Sequence, residues 1–152
     1  MIFITGGTGL VGSHILLKLS QDNIPFKSLK REESSLQICK EVFAHYNSSE
    51  LFDSINWVNG DINDIPSLEE GMQTCDQLIH AAAIVSFKKE DSELLNKVNV
   101  EGTKNVMNVA ISSSIKRVAY ISSIATLGRT STSHIVNEDC MFQLSNKESN
   151  YA

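Results

Sequence analysis

Glycine is scarce in this chain: eight residues in 152, with four of them at positions 6, 7, 9 and 12. That concentration argues for a local purpose at one turn and against general backbone looseness. Basic charge is also short, with 13 Lys and Arg against 18 Asp and Glu, for a formal net charge of −5. Phosphate backbones want a basic face, so no nucleic acid partner is expected. No apolar run approaches the ~18 residues of a membrane span, and the N-terminus enters an apolar strand directly, with no charged-then-apolar leader. The expectation is a cytoplasmic chain with no membrane attachment. Cys39, Cys75 and Cys140 are odd in number, far apart and without C-x-x-C spacing, which suits reduced thiols and not a disulfide frame or zinc site. His14, His45, His80 and His134 show no metal-ligand spacing, so no metal is expected. The phosphate loop G-x-x-x-x-G-K-[ST] is missing as well, because Gly12 is followed by Ser13 and His14, and nucleoside triphosphate hydrolysis is a poor reading.

What is present starts at the first residue. Met1-Ile2-Phe3-Ile4 reads as a buried parallel strand, and Thr5-Gly6-Gly7-Thr8-Gly9-Leu10-Val11-Gly12 follows as a turn spaced G-x-x-G-x-x-G. From Ser13 to Leu19 the pattern is helical. Strand, glycine turn and helix together put a helix N-terminus and bare backbone N–H groups against a pyrophosphate. The bland alternative is a tight turn, and the position between strand and helix is what favours the nucleotide reading.

Short apolar segments then alternate with helical ones. Strands are expected at Pro25–Leu29, Ile55–Val58, Gln77–His80 and Lys116–Ser122. Ser34 or Ser35 should cap a helix running to His45, and Pro66 sits in the first turn of a short helix opened by Asp64. The longest helix is expected from Ser92 to Ser112, with Leu94, Val98, Gly102, Val106 and Val109 at helical spacing. Such alternation means parallel strands and right-handed crossovers: an α/β fold with a doubly wound parallel sheet, a Rossmann fold. At about one domain's length, residues 1–152 are expected to form a single dinucleotide-binding domain. Past Ser123 the pattern weakens, and 128–147 read as polar loop. A compact domain rarely ends on so long a structureless stretch, which points to a functional loop and to an incomplete C-terminus.

Ligands in such folds bind outside the carboxyl ends of the strands. The first end carries the glycine turn. At the second, Lys30-Arg31 stand where an acid would read the 2′-hydroxyl of NAD, and cations there favour the 2′-phosphate of NADP. A solvated strand end is the alternative for both. At the third, Asp61 could hold an adenine amino group while Ile62 covers the ring, or Asp61 could simply cap a turn. The fourth, Ala81-Ala82-Ala83, lets a flat ring approach the backbone. The fifth carries Ser122-Ser123, either a cap or a polar contact to a reacting oxygen. Asn99, on the helix face expected to meet the sheet, must find partners, as a structural tie or as part of an active-site network. Gly102 costs about 1 kcal/mol relative to alanine in a helix, and close contact with the sheet would explain it. His80 is expected to be a satisfied strand-end residue and not a catalyst.

With these segments assembled, the chain resembles the N-terminal half of an extended short-chain dehydrogenase/reductase. It is similar to the NAD-dependent epimerase/dehydratase and dihydroflavonol-reductase-like members. The matching segments run from Thr5 to His14, then Gly60-Asp61-Ile62, His80-Ala81-Ala82-Ala83, Asn99-Val100-Glu101-Gly102-Thr103 and Tyr120-Ile121-Ser122-Ser123. They cover most of residues 1–128, in the family's order and at about its spacing. The strand-end reading and the resemblance together make Gly6, Thr8, Gly9, Leu10, Val11, Gly12, Lys30, Arg31, Asp61, Ile62, Ala81, Ala82, Ala83 and Asn99 the expected cofactor-binding residues, for NADP with NAD possible. The resemblance implies that Ser123 and Tyr151 are catalytic, and that the Y-x-x-x-K lysine falls four positions after Tyr151, past the last residue, Ala152. In the family that lysine lowers the tyrosine's pKa for proton transfer as hydride moves. The expectation is therefore the NADP(H)-binding part of an oxidoreductase or epimerase acting on a small carbonyl or hydroxyl substrate. Its C-terminal substrate domain is absent, and the chain as given should be inactive. The alternative is a stand-alone NAD(P)-binding regulatory module without catalysis. Self-association through the incomplete sheet edge is expected.

Overall fold

β1 (Ile2–Thr5) is buried along its whole length, as an unbroken apolar run requires of a strand covered on both faces. It lies at the centre of the sheet in this computed structural model, which describes residues 1–127, 136–138 and 140. β2 (Phe26–Lys30) pairs on one side of β1, with β3 (Trp57–Asn59) beyond it. β4 (Gln77–His80) pairs on the other side, with β5 (Arg117–Tyr120) at the edge. Every pairing is parallel and the order is β3-β2-β1-β4-β5. The chain moves outward from β1 to β3 and then crosses back to β4, so the strand order reverses between β1 and β4. Such a reversal opens a crevice at the carboxyl ends of those two strands.

The alternation of side chains along β1 divides the core into two layers. Ile2 and Ile4 pack with Leu16 and Leu17 of α1 (Leu10–Gln21), and with Cys39, Val42 and Phe43 of α2 (Gln37–His45). Phe3 faces the opposite side, with Leu68 and Met72 of α4 (Ile65–Met72), and Val106 and Val109 of α6 (Thr103–Ser112). The short α3 (Ser49–Phe52) follows a left-handed turn at Asn47, φ 52°, and lends Leu51 and Phe52 to the first layer. The sequence pattern contained no signal for it beyond that turn. α5 (Ser92–Leu95), a π-helical stretch (Asn96–Gly102) and α6 run without a break over 92–112. No helix among the described residues is long and apolar enough to cross a membrane.

β4 and the 92–112 helix keep their expected bounds, while other boundaries differ by one to three residues, where local hydrogen bonds decide. α1 begins at Leu10 and not Ser13, because the turn winds directly into the helix, with the Ser13 N–H donating to the Gly9 carbonyl at 2.8 Å. The N-cap of α2 is Leu36, with no side-chain cap, so neither Ser34 nor Ser35 holds that position, although Ser35 Oγ accepts from the Gln37 N–H at 3.2 Å. Ile55 is buried, but pairing in β3 starts only at Trp57.

Candidate functional site

The glycine turn holds its shape through the protein's own packing at three of its positions, and a Cβ on Gly7 would stand 2.2 Å from Ser28 Oγ. Gly6 has φ +79°, and a Cβ there would stand 2.4 Å from the Ala82 nitrogen. A Cβ on Gly12 would stand 2.0 Å from the Gly6 carbonyl oxygen. Gly9 is different: its Cβ would meet nothing nearer than the Gly6 oxygen at 3.5 Å. Gly9 also sits at the N-cap of α1, with no side-chain cap and no acidic residue in the first turn. The first-turn N–H groups of this 12-residue helix, at Leu10 to Gly12, follow directly on that cap, with open space beside Gly9.

That space is a cleft of about 310 Å³ across the carboxyl ends of four strands. Gly6, Thr8 and Gly9 line it from the end of β1, Lys30 and Arg31 from β2, Asp61 and Ile62 from β3, and Ala81, Ala82 and Ala83 from β4. Leu10 and Val11 do not line it; their side chains are exposed at the start of α1, and Gly12 is buried beneath the turn. Among the lining residues that the sequence reading missed are Leu29, Ser34, Asn63, Ile84, Leu94 and Lys97. Asn63 directly follows Asp61-Ile62, and Leu94 and Lys97 share a helical array with Val98, so nearness to the motifs was the available signal.

Neither cation is unengaged. Lys30 Nζ donates to Asn59 Oδ1 at 2.9 Å, and Arg31 Nε lies 3.2 Å from Glu33 Oε1. Asp61 does cap its turn: Oδ1 accepts from the Asn63 N–H at 2.7 Å and from Asn63 Nδ2 at 3.1 Å. It lines the cleft as well. Ile62 is buried against the long helix, and a Cβ on Gly102 would stand 2.5 Å from Ile62 Cδ1. Gly102 therefore makes room for the segment after β3, and not for the sheet as the sequence suggested.

A second cleft of about 310 Å³ adjoins the first and shares Ala83 with it. Ser122, Ser123 and Tyr120 line it from the end of β5, and Asn96 and Asn99 from the π-helical stretch. Ser123 Oγ accepts from the Ala125 N–H at 3.1 Å, so it caps a turn while facing the cleft. Asn99 is a structural tie: Oδ1 accepts from the Ile84 N–H and Nδ2 donates to the Ile84 carbonyl, each at 2.9 Å. Both bonds hold the loop that separates the clefts. Tyr151 lies outside the described residues.

His80 lies beneath the site, fully buried. Its Nδ1 meets Thr5 Oγ1 at 2.5 Å and its Nε2 meets Thr103 Oγ1 at 2.9 Å. The neutral ring donates to one hydroxyl and accepts from the other. Burial pushes its pKa down to about 4. A side chain with both nitrogens satisfied and no exposure is a tie between β1, β4 and α6. Among the described residues, no three His, Cys, Asp or Glu side chains stand together as a metal would need.

Residues 3–151 match the model of the 3-beta hydroxysteroid dehydrogenase/isomerase family. The chain belongs to that family. Within the range of this family member, a putative dihydroflavonol 4-reductase of Synechocystis is 35% identical over 126 residues, 83% of this chain and 33% of that protein. A 4-hydroxy-2-methyl-3-oxo-4-farnesyl-3,4-dihydroquinoline-1-oxide ketoreductase of Stigmatella aurantiaca is 32% identical over 125 residues, 82% of this chain and 34% of that one. The chain thus spans about a third of the length of these curated relatives. Among solved structures, a UDP-glucose 4-epimerase from Stenotrophomonas maltophila with bound NAD superposes with a TM-score of 0.77. It is 19% identical, with 99% of this chain and 44% of that one covered, a likeness that speaks to the fold.

Proposed function

We propose that residues 1–152 form the NADP(H)-binding domain of an oxidoreductase or epimerase that acts on a carbonyl or hydroxyl group of a small molecule. The observation that carries this reading is the cleft itself. It gathers the glycine turn, Lys30-Arg31, Asp61-Ile62 and Ala81-Ala82-Ala83 at the switch point of the sheet. The open space at Gly9 and the uncapped first turn of α1 fit a pyrophosphate, which needs bare N–H donors and no Cβ. Arg31, Lys30 and the Ser34 hydroxyl would meet a 2′-phosphate. Asp61 keeps one carboxylate oxygen outside its turn bonds for an adenine amino group. The small side chains of Ala81 to Ala83 lead from the first cleft to the second.

When bound, the nicotinamide supplies a hydride donor or acceptor. Ser123 would hydrogen-bond the reacting oxygen of the substrate in the second cleft, and Asn99 would hold the dividing loop in place. Tyr151 would give or take the proton on that oxygen. The lysine that tunes the tyrosine in the family falls four positions later, so the 152-residue polypeptide by itself should bind without turnover. β5 ends the sheet among the described residues, with Val118, Tyr120 and Ile121 exposed. Copies of the chain would associate there.

Fluorescence titration with NADPH and NADH tests the reading. Saturable binding of both, tighter for NADPH, is expected. No binding of either removes the proposal, and tighter NADH overturns the roles of Lys30 and Arg31.

A further inference from the structure

The turn after β2 carries its own counter-charge. Lys30-Arg31-Glu32-Glu33 sums to no net charge. The Ser34 N–H donates to the Arg31 carbonyl at 3.1 Å and folds the segment back on itself. That turn brings the Glu33 carboxylate to Arg31, Oε1 to Nε at 3.2 Å. Lys30 is held sideways, since its Nζ donates to Asn59 Oδ1. Arg31 and Ser34 line the cleft, whereas Glu33 stands outside its lining. The arginine that faces the ribose end therefore already carries an anion of the protein's own.

We infer that Glu33 is a specificity-determining residue of the coenzyme site. Its carboxylate competes with a 2′-phosphate for Arg31, and so narrows the preference for NADP over NAD. The inference rests on the reading of Arg31 as the 2′-phosphate contact. Both partners are more than half exposed, 58% and 71%, so the pair opens at small cost and a phosphate displaces it. NADP binds, but with less discrimination than an unopposed arginine would give. NAD carries a hydroxyl at that position and leaves the pair closed. Because the pair is exposed, salt screens the competition.

The test is a set of NADPH and NADH titrations on the wild-type chain, Glu33→Gln, Arg31→Gln and the double variant, at low and high salt. Glu33→Gln should tighten NADPH about threefold, the scale of an exposed ion pair, and leave NADH unchanged. The gain should vanish in the double variant and shrink at high salt. If Glu33→Gln does not tighten NADPH, or tightens NADH equally, while Arg31→Gln still weakens NADPH, the role of Glu33 is overturned and the NADP reading stands. If Arg31→Gln binds NADPH as well as wild type, the NADP reading falls and this inference falls with it.

Discussion

A Cβ on Gly12 would stand 2.0 Å from a carbonyl oxygen, whereas a Cβ on Gly9 would meet nothing closer than 3.5 Å. The two glycines should therefore fail differently. Gly12→Ala forces the turn off α1 and should cost about 1–3 kcal/mol, with binding lost as well. Gly9→Ala should cost under about 1 kcal/mol as a changed N-cap, yet weaken NADPH tenfold or more. Thermal melts beside NADPH titrations check both, and a Gly9→Ala chain that binds like wild type would refute the pyrophosphate role. At His80 the pH dependence has a definite sign. Its ring protonates near pH 6.5 when unfolded and at about 4 when folded. Below pH 6.5 the unfolded chain binds the extra proton, so stability falls as pH drops from about 6.5 toward 4. The slope from this group is at most about 1.4 kcal/mol per unit. Urea denaturation at pH 7 and pH 5 should show the loss in the wild type and a smaller one in His80→Gln.

The long helix is where element geometry matters most. Two adjacent faces of it serve two sites, and Asn96–Gly102 is π-helical. Lys97 and Val98 line the first cleft while Asn96, Asn99 and Val100 line the second. One stretch of seven residues thus serves both sites. Asn99 fixes its distance to the loop after β4 through both bonds to Ile84. Asn99→Ala should leave the half-buried Ile84 N–H and carbonyl without those partners and cost about 1–3 kcal/mol. Asn99→Asp keeps only the acceptor, and should fall between the two. Chemical denaturation of the three chains measures the order, and an Asn99→Ala chain as stable as wild type would show that the tie is idle.

At the scale of the molecule, the sheet is asymmetric in its cover among the described residues. β1 is buried throughout, but all four residues of β5 are exposed. Parallel sheets are stable when both faces are covered, and an exposed edge with Val118, Tyr120 and Ile121 invites pairing. Sedimentation velocity over a concentration series should show a mass that rises with concentration. Val118→Lys should suppress the rise, since a charge on an edge strand opposes pairing. A wild-type chain that stays monomeric throughout would end the association proposal.

The amino-acid sequence alone determined the features that are encoded locally. The apolar run of β1, the glycine turn, Pro66 at the start of α4 and the 92–112 periodicity each span a few neighbouring residues. From them the doubly wound sheet, the strand ends to examine and the family were legible. The tertiary structure decided what depends on partners far apart in the chain. Thr5 meets His80 across 75 positions, and Asn99 reaches Ile84 across 15. Such pairs leave no periodic trace, because a side chain's partner is set by packing and not by spacing. The same holds for Gly102 yielding to Ile62, 40 positions away, and for Leu10 and Val11 facing away from the cleft.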